Sequence, residues 1–236
     1  MRAFEFVEPA TLAEVIQLLH GGDGQARPIA GGSDVLGELK DDVVQYTRLV
    51  SLGGLTGLGE LREVPGGLRL GALMTLAQLE YEPRLQGPYR LLAEAARGVS
   101  TPEIRQQGTL GGNLCQRPRC LYYRSALSPC LKKGGTDCPA VASPYQDYLS
   151  IMGGQGCFSV HASDLAPPLL ALSRGSQGPA PLRLKRFLPV RNRMSGVKMC
   201  WRLQTLSPRS CSPARRHPGV APLSRPASAR RGIFLW

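Results

Sequence analysis

The sequence predicts an α+β fold of two subdomains followed by a tail that belongs to neither. Three observations carry this reading. Helix-like apolar spacing alternates with short strand-like runs through residues 1–172. Two glycine turns of similar form, Ala30-Gly31-Gly32-Ser33-Asp34 and Thr109-Leu110-Gly111-Gly112-Asn113, punctuate that region. Beyond Leu172 neither periodicity survives, and no acidic residue occurs again.

The first unit, residues 1–54, reads as α/β. Thr11-Leu12-Ala13-Glu14 has the form of a capping box, in which side chains satisfy the orphan amides of a first helical turn. Leu12, Val15, Ile16 and Leu19 follow at helical spacing, and Gly21-Gly22 stops the helix. A strand through Pro28-Ile29-Ala30 feeds the first glycine turn. Val35, Leu36 and Leu39 give one face of a short helix, and Arg48-Leu49-Val50-Ser51-Leu52 reads as a strand broken by Gly53-Gly54.

The second unit spans residues 55–172. Gly66-Gly67 marks a hairpin turn ahead of the strand Leu68-Arg69-Leu70-Gly71-Ala72. Thr75-Leu76-Ala77-Gln78 is a second capping box. A helix from Leu91 to Ala96 is stopped by Gly98, and Thr101-Pro102 opens a turn reaching about Arg105. After the second glycine turn comes a cysteine-bearing loop, about residues 114–157, and then an apolar helix from Leu165 to Leu172 behind Ser163-Asp164.

Residues 173–236 hold eight prolines, eight serines and 14 Lys/Arg. Such a composition cannot bury enough apolar surface to offset the entropy of ordering, so it reads as disordered, with weak structure at most around Leu182–Val190. The abrupt loss of acids also fits out-of-frame translation of GC-rich DNA. The formal charge of +12 therefore misleads: residues 1–172 balance 15 Lys/Arg against 17 Asp/Glu. A folded nucleic-acid-binding face is not expected. Neither a secretory h-region nor an apolar run of membrane-spanning length appears, which predicts a cytoplasmic protein outside the membrane. Export alongside a partner with its own signal would place it in the periplasm.

A backbone that approaches a diphosphate needs room where a Cβ would stand and amides that converge on the oxygens. Glycine turns offer both. Neither turn has the Gly-x-Gly-x-x-Gly form, and Gly-Lys-Ser/Thr is absent. Four cysteines, Cys120, Cys130, Cys138 and Cys157, follow with gaps of nine, seven and 18 residues, and Cys115 precedes them. Spacing alone leaves three readings open: Zn²⁺, an iron–sulfur cluster, or buried free thiols.

At these residues the chain resembles the FAD-binding medium subunits of the molybdenum hydroxylases, the xanthine dehydrogenase and carbon monoxide dehydrogenase superfamily. Ala30-Gly31-Gly32-Ser33-Asp34 is similar to that family's first pyrophosphate loop and Thr109-Leu110-Gly111-Gly112-Asn113 to its second. Pro102-Glu103-Ile104-Arg105 and His161-Ala162-Ser163-Asp164-Leu165-Ala166-Pro167 match further segments. From Gly111 to Cys120 and beyond, the chain resembles the branch whose medium subunit carries an extra [4Fe-4S] loop, the aldehyde oxidoreductase and hydroxybenzoyl-CoA reductase types. Two departures stand out. Ser143 to Tyr148 differs from the pattern usual before the fourth cysteine, and the tail does not resemble the family's third domain.

The resemblance implies a two-subdomain PCMH-type (vanillyl-alcohol-oxidase-like) FAD-binding fold without the family's C-terminal domain. It places FAD on Arg27, Pro28, Ile29, Ala30, Gly31, Gly32, Ser33, Asp34 and Val35, and on Arg105, Thr109, Gly111, Gly112 and Asn113, with His161 and Asp164 close by. Arg105 and Arg117 would face the pyrophosphate or a reduced flavin, whereas Asp164 also fits a helix N-cap. It makes Cys120, Cys130, Cys138 and Cys157 the ligands of a [4Fe-4S] cluster and Cys115 a bystander. It implies no catalytic residue here, but an oxidoreductase subunit passing electrons through FAD to an external acceptor. The implied partners are a molybdopterin-binding large subunit and a [2Fe-2S] small subunit, in a heterotrimer or its dimer. Two rival classes are a zinc-stabilised nucleic-acid module and a truncated remnant of such a subunit.

Overall fold

The strand Arg48–Ser51 (β3) is the centre of the N-terminal unit, because both of its edges are paired. The computed structural model describes residues 1–20, 25–65, 67–144, 149–150, 157–173 and 232–235. Glu5–Val7 (β1) and Ala26–Ile29 (β2) flank β3, both parallel to it, in the order β1-β3-β2. The register sets Phe6 and Arg27 beside Leu49. Parallel neighbours need crossovers, and the helices Leu12–His20 (α1) and Val35–Lys40 (α2) supply them. β1 was not anticipated: its three residues are too few to show alternation.

Thr11 does cap α1, its Oγ1 accepting from the Glu14 amide at 3.2 Å. The Glu14 carboxylate reaches the Ala10 amide rather than that of Thr11. The expected apolar stripe is turned. Val15 is buried with Leu18 and Leu19 against Val50 and Leu55, while Leu12 and Ile16 are 54% and 49% exposed. Gly21-Gly22, the expected helix stop, lies outside the described residues.

Leu61–Val64 (β4) and Gly67–Leu70 (β5) form the expected hairpin, with Val64 opposite Gly67. Residues 76–81, Leu76–Tyr81 (α3), start from a complete capping box: the Gln78 amide donates to Thr75 Oγ1 and the Thr75 amide to Gln78 Oε1. Arg90–Gly98 (α4), Pro102–Gln107 (α5), Leu110–Leu114 (α6) and Leu121–Arg124 (α7) follow. Ala166–Ser173 (α8) takes Pro167 and Pro168 in its first turn, where no amide partner is needed. The largest core lies here, with Leu70, Leu79, Leu85, Leu92, Leu110 and Leu165 completely or almost completely removed from water.

Two expectations are corrected. The second glycine turn is not a loop but α6, because Thr109 caps it and the Asn113 amide returns to the Thr109 carbonyl at 2.8 Å. The tail is not structureless throughout: Gly232–Leu235 (β6) pairs parallel with β5, Leu68 beside Ile233. That short apolar run covers an edge that a two-stranded hairpin would leave open. The segment Leu182–Val190 lies outside the described residues.

Candidate functional site

The two glycine turns meet. Both line one cleft, bounded by Arg27 to Val35 on one side and by Thr109, Gly111, Gly112, Cys115 and Gln116 on the other, with Leu52, Ala72 and Leu73 at its floor. It encloses about 100 Å³, room for a group of a few heavy atoms and far below the roughly 300–1,000 Å³ that envelops a whole ligand.

The glycines do different work from that expected. A Cβ on Gly31 would lie 1.7 Å from the Gln107 carbonyl oxygen, so Gly31 permits the first turn to rest on the end of α5, just ahead of the second turn. A Cβ on Gly111 would meet Ala72 O at 2.9 Å, and one on Gly112 would meet Thr109 Oγ1 at 2.9 Å. Gly32 has φ +73°, the left-handed region that glycine tolerates.

The amides of the second turn are already committed. Leu110 donates to Met74 O at 2.8 Å, Gly111 to Ala72 O at 2.7 Å and Gly112 to Thr109 Oγ1 at 3.0 Å. In the first turn the amides of Gly32, Ser33 and Asp34 have no acceptor among the described residues. The first turn therefore keeps uncommitted amide donors where it borders the cleft, and the second forms a wall.

Several sequence-predicted residues act elsewhere. Arg105 is not at the cleft: its guanidinium pairs with Glu80 at 2.9 Å and donates to the Val99 and Ser100 carbonyls, 10% exposed. Asn113 is buried, its Oδ1 2.6 Å from Ser163 Oγ. Ser163, not Asp164, caps α8, accepting from the Ala166 amide at 3.2 Å. Asp164 and His161 are exposed and line neither cavity. Although His161 is exposed as a whole residue, partial desolvation of its ring lowers its pKa, with Lys132 acting in the same direction. Asp34 borders the cleft, but its carboxylate accepts from the Arg117 amide at 2.8 Å and pairs with Arg124 at 2.6 Å.

The four cysteines converge on a second cavity. Cys120, Cys130, Cys138 and Cys157 line it together with Tyr123, Lys132 and Leu149. Cys115 is not among them and stands in the glycine cleft, where burial pushes its thiol up to about 11 against the opposing charges of Arg27 and Arg117. Burial also raises Cys130, and the neighbouring Cys157 and Cys120 sulfurs add to the shift. The cavity encloses about 10 Å³, the space of roughly one water. Among the described residues no three or more Cys, His, Asp or Glu side chains stand close enough to hold a single metal ion.

Residues 2–174 match the model of the FAD binding domain in molybdopterin dehydrogenase, which covers most of the chain. The chain belongs to that family. The aldehyde oxidoreductase FAD-binding subunit PaoB of Escherichia coli (strain K12) is 32% identical over 168 residues, 70% of this chain and 52% of that protein. The nicotinate dehydrogenase FAD-subunit of Eubacterium barkeri is 37% identical over 115 residues, 48% of this chain and 39% of its own length. Among solved structures, carbon monoxide dehydrogenase from Hydrogenophaga pseudoflava aligns at TM-score 0.47 and 30% identity, covering 48% of this chain and 40% of that one. The chain thus spans about half the length of the curated relatives it matches, or less.

For this FAD-binding domain, sequence reasoning missed Leu52, Ala72, Leu73, Cys115 and Gln116 as cleft residues. The types of Leu52, Ala72 and Leu73 carry no signal, since apolar residues next to a strand read as core. It also missed Glu38, which is 0% exposed in α2 and accepts a hydrogen bond from Tyr123. Burial raises the Glu38 pKa, opposed by the Tyr123 hydrogen bond and reinforced by Asp34.

Proposed function

We propose that this chain is the flavin-holding electron-transfer subunit of a molybdenum hydroxylase, with the diphosphate of FAD seated on the first glycine turn. The observation that carries the reading is the pairing of both turns around one cleft, bordered on one side by Gly32, Ser33 and Asp34, whose amides have no acceptor among the described residues. Three uncommitted donors in sequence form an anion-binding concavity, and the Ser33 hydroxyl and the Arg27 guanidinium extend it. FAD, when bound, converts between one- and two-electron transfer, linking iron–sulfur centres to an external acceptor. This chain positions the cofactor through the Gly31–Gln107 contact, shields it with the wall of α6, and neutralises phosphate charge with Arg27. The enclosed volume suits the diphosphate, so the rings extend over the rim, in the manner of a PCMH-type fold.

The thiol cavity is read as the site of a [4Fe-4S] cluster. Its donor chemistry fits: four soft ligands from one loop border one space. Among the described residues no group of side chains stands close enough to hold a metal ion, so the loop must rearrange to admit either Zn²⁺ or a cluster, and it is the resemblance of the loop that favours the cluster. By the same reading the partners are a molybdopterin-binding large subunit and a [2Fe-2S] small subunit. The subunit belongs in the cytoplasm, where thiols stay reduced, or in the periplasm after export with its partners. No described helix is long and apolar enough to cross a membrane.

Co-expression with a large and a small subunit of this family tests the reading. A co-purified complex with flavin absorbance, and with iron and sulfide in excess of what the small subunit accounts for, supports it. A chain that never co-purifies fits instead a remnant of such a subunit.

A further inference from the structure

Arg124 stands 90 positions from Asp34, in the short helix that follows Cys120, yet its side chain ends on the first glycine turn. Asp34 is the N-cap of α2, and an aspartate there ordinarily turns its carboxylate onto the amides of the first helical turn. This one makes no such bond. Its Oδ2 accepts from the Arg117 amide at 2.8 Å and its Oδ1 from the Arg124 guanidinium at 2.6 Å.

The guanidinium is itself held in place. It donates to Pro118 O at 2.9 Å and to Arg117 O at 3.3 Å, and its carbon lies 5.5 Å from the centroid of the Tyr123 ring. The Arg124 and Asp34 side chains are 19% and 18% exposed, so water and salt screen the pair only in part. None of these bonds involves a cysteine, so the arrangement does not depend on what the thiols hold.

The consequence for the cleft follows from charge. The amides of Gly32, Ser33 and Asp34 have no acceptor among the described residues, and the Asp34 carboxylate belongs to the same turn. Uncompensated, it would set a negative charge beside any anion those amides receive. Paired with Arg124, its charge is offset, and the turn is anchored through a side chain while its amides stay uncommitted.

We propose that Arg124 is a positioning residue for the diphosphate, acting through Asp34, whose carboxylate it holds and compensates at the border of the cleft; this rests on the flavin reading given above and is independent of the thiol reading.

The test is a double-mutant cycle on the full chain. FAD affinity is read by flavin fluorescence and that of inorganic pyrophosphate by displacement of FAD, in wild type, Arg124→Gln, Asp34→Asn and the double variant. With Asp34 present, Arg124→Gln should weaken FAD and pyrophosphate alike by about 10-fold, the order of one uncompensated charge near an anion at a protein surface. In the Asp34→Asn background the same substitution should cost less than about 2-fold, because the carboxylate through which it acts is gone. An Arg124 that only braces residues 117–124, or that attracts the anion directly, would cost the same in both backgrounds, and that result overturns the proposal. So does an Arg124→Gln variant that binds both ligands as wild type does, or one that loses FAD affinity while keeping that for pyrophosphate. If Arg124→Gln does not fold, the double variant, which lacks the uncompensated carboxylate, is compared with Asp34→Asn alone: agreement within about 2-fold supports the proposal, and a loss of about 10-fold overturns it. A wild-type chain that binds no FAD, or FAD that pyrophosphate cannot displace, overturns the flavin reading and this proposal together. Normal displacement with equal losses in both backgrounds overturns this proposal alone.

Discussion

Glu38 shows how a single residue can be decisive yet silent in the sequence. It occupies a helix position that reads as solvated, but α2 lies beneath the cysteine stretch and the side chain is 0% exposed. One oxygen takes the Tyr123 hydrogen bond and the other has no partner. Desolvation favours the neutral acid, so its folded pKa lies above the unfolded value. The sign follows: its contribution to stability is complete below the ordinary carboxylate range and is lost as pH rises through the raised folded value. Glu38→Gln, which cannot ionise, should therefore gain stability relative to wild type as pH rises from 4 to 8, read as the difference in thermal midpoint. A constant difference would show that Glu38 does not titrate in that window. The glycines were legible as essential, but the reason was not. Gly31 is required by the Gln107 carbonyl, a contact 76 positions away that no local pattern reveals.

At the level of elements, caps were the most legible feature because their chemistry is local. Thr75 with Gln78, Thr101 and Thr11 each cap the helix expected of them. Thr109 does the same for α6, but its two glycines suggest a turn, and the tertiary pairing of residues 108–111 with 72–76 decides otherwise. Glycine costs a helix interior roughly 1 kcal/mol, so this five-residue helix depends on its cap. Thr109→Ala should lower stability by about 1 kcal/mol, seen as a lower urea midpoint with an unchanged slope. No change would mean that packing against Ala72 and Met74 alone holds α6. β1 and β6 were not legible at all, since three or four residues show no alternation and only their partners define them.

Across the whole molecule, order in the sequence became proximity in the fold. Turns that begin 79 positions apart share one cleft, and cysteines spread over 38 residues share one cavity. That convergence was expected from resemblance rather than from spacing, which left zinc, cluster and free thiols open. The charge distribution was legible directly, because the near-neutral balance of residues 1–172 coincides with the region matching the family. The inequality of the two turns was not, since only backbone pairing shows which amides remain open. The central claim is that those open amides receive a diphosphate. Titrating the full chain with FAD in the presence of inorganic pyrophosphate addresses it most directly. Saturable binding of one flavin per chain, weakened progressively by pyrophosphate, is the predicted result. Flavin binding that pyrophosphate leaves untouched, or no flavin binding at all, would contradict it.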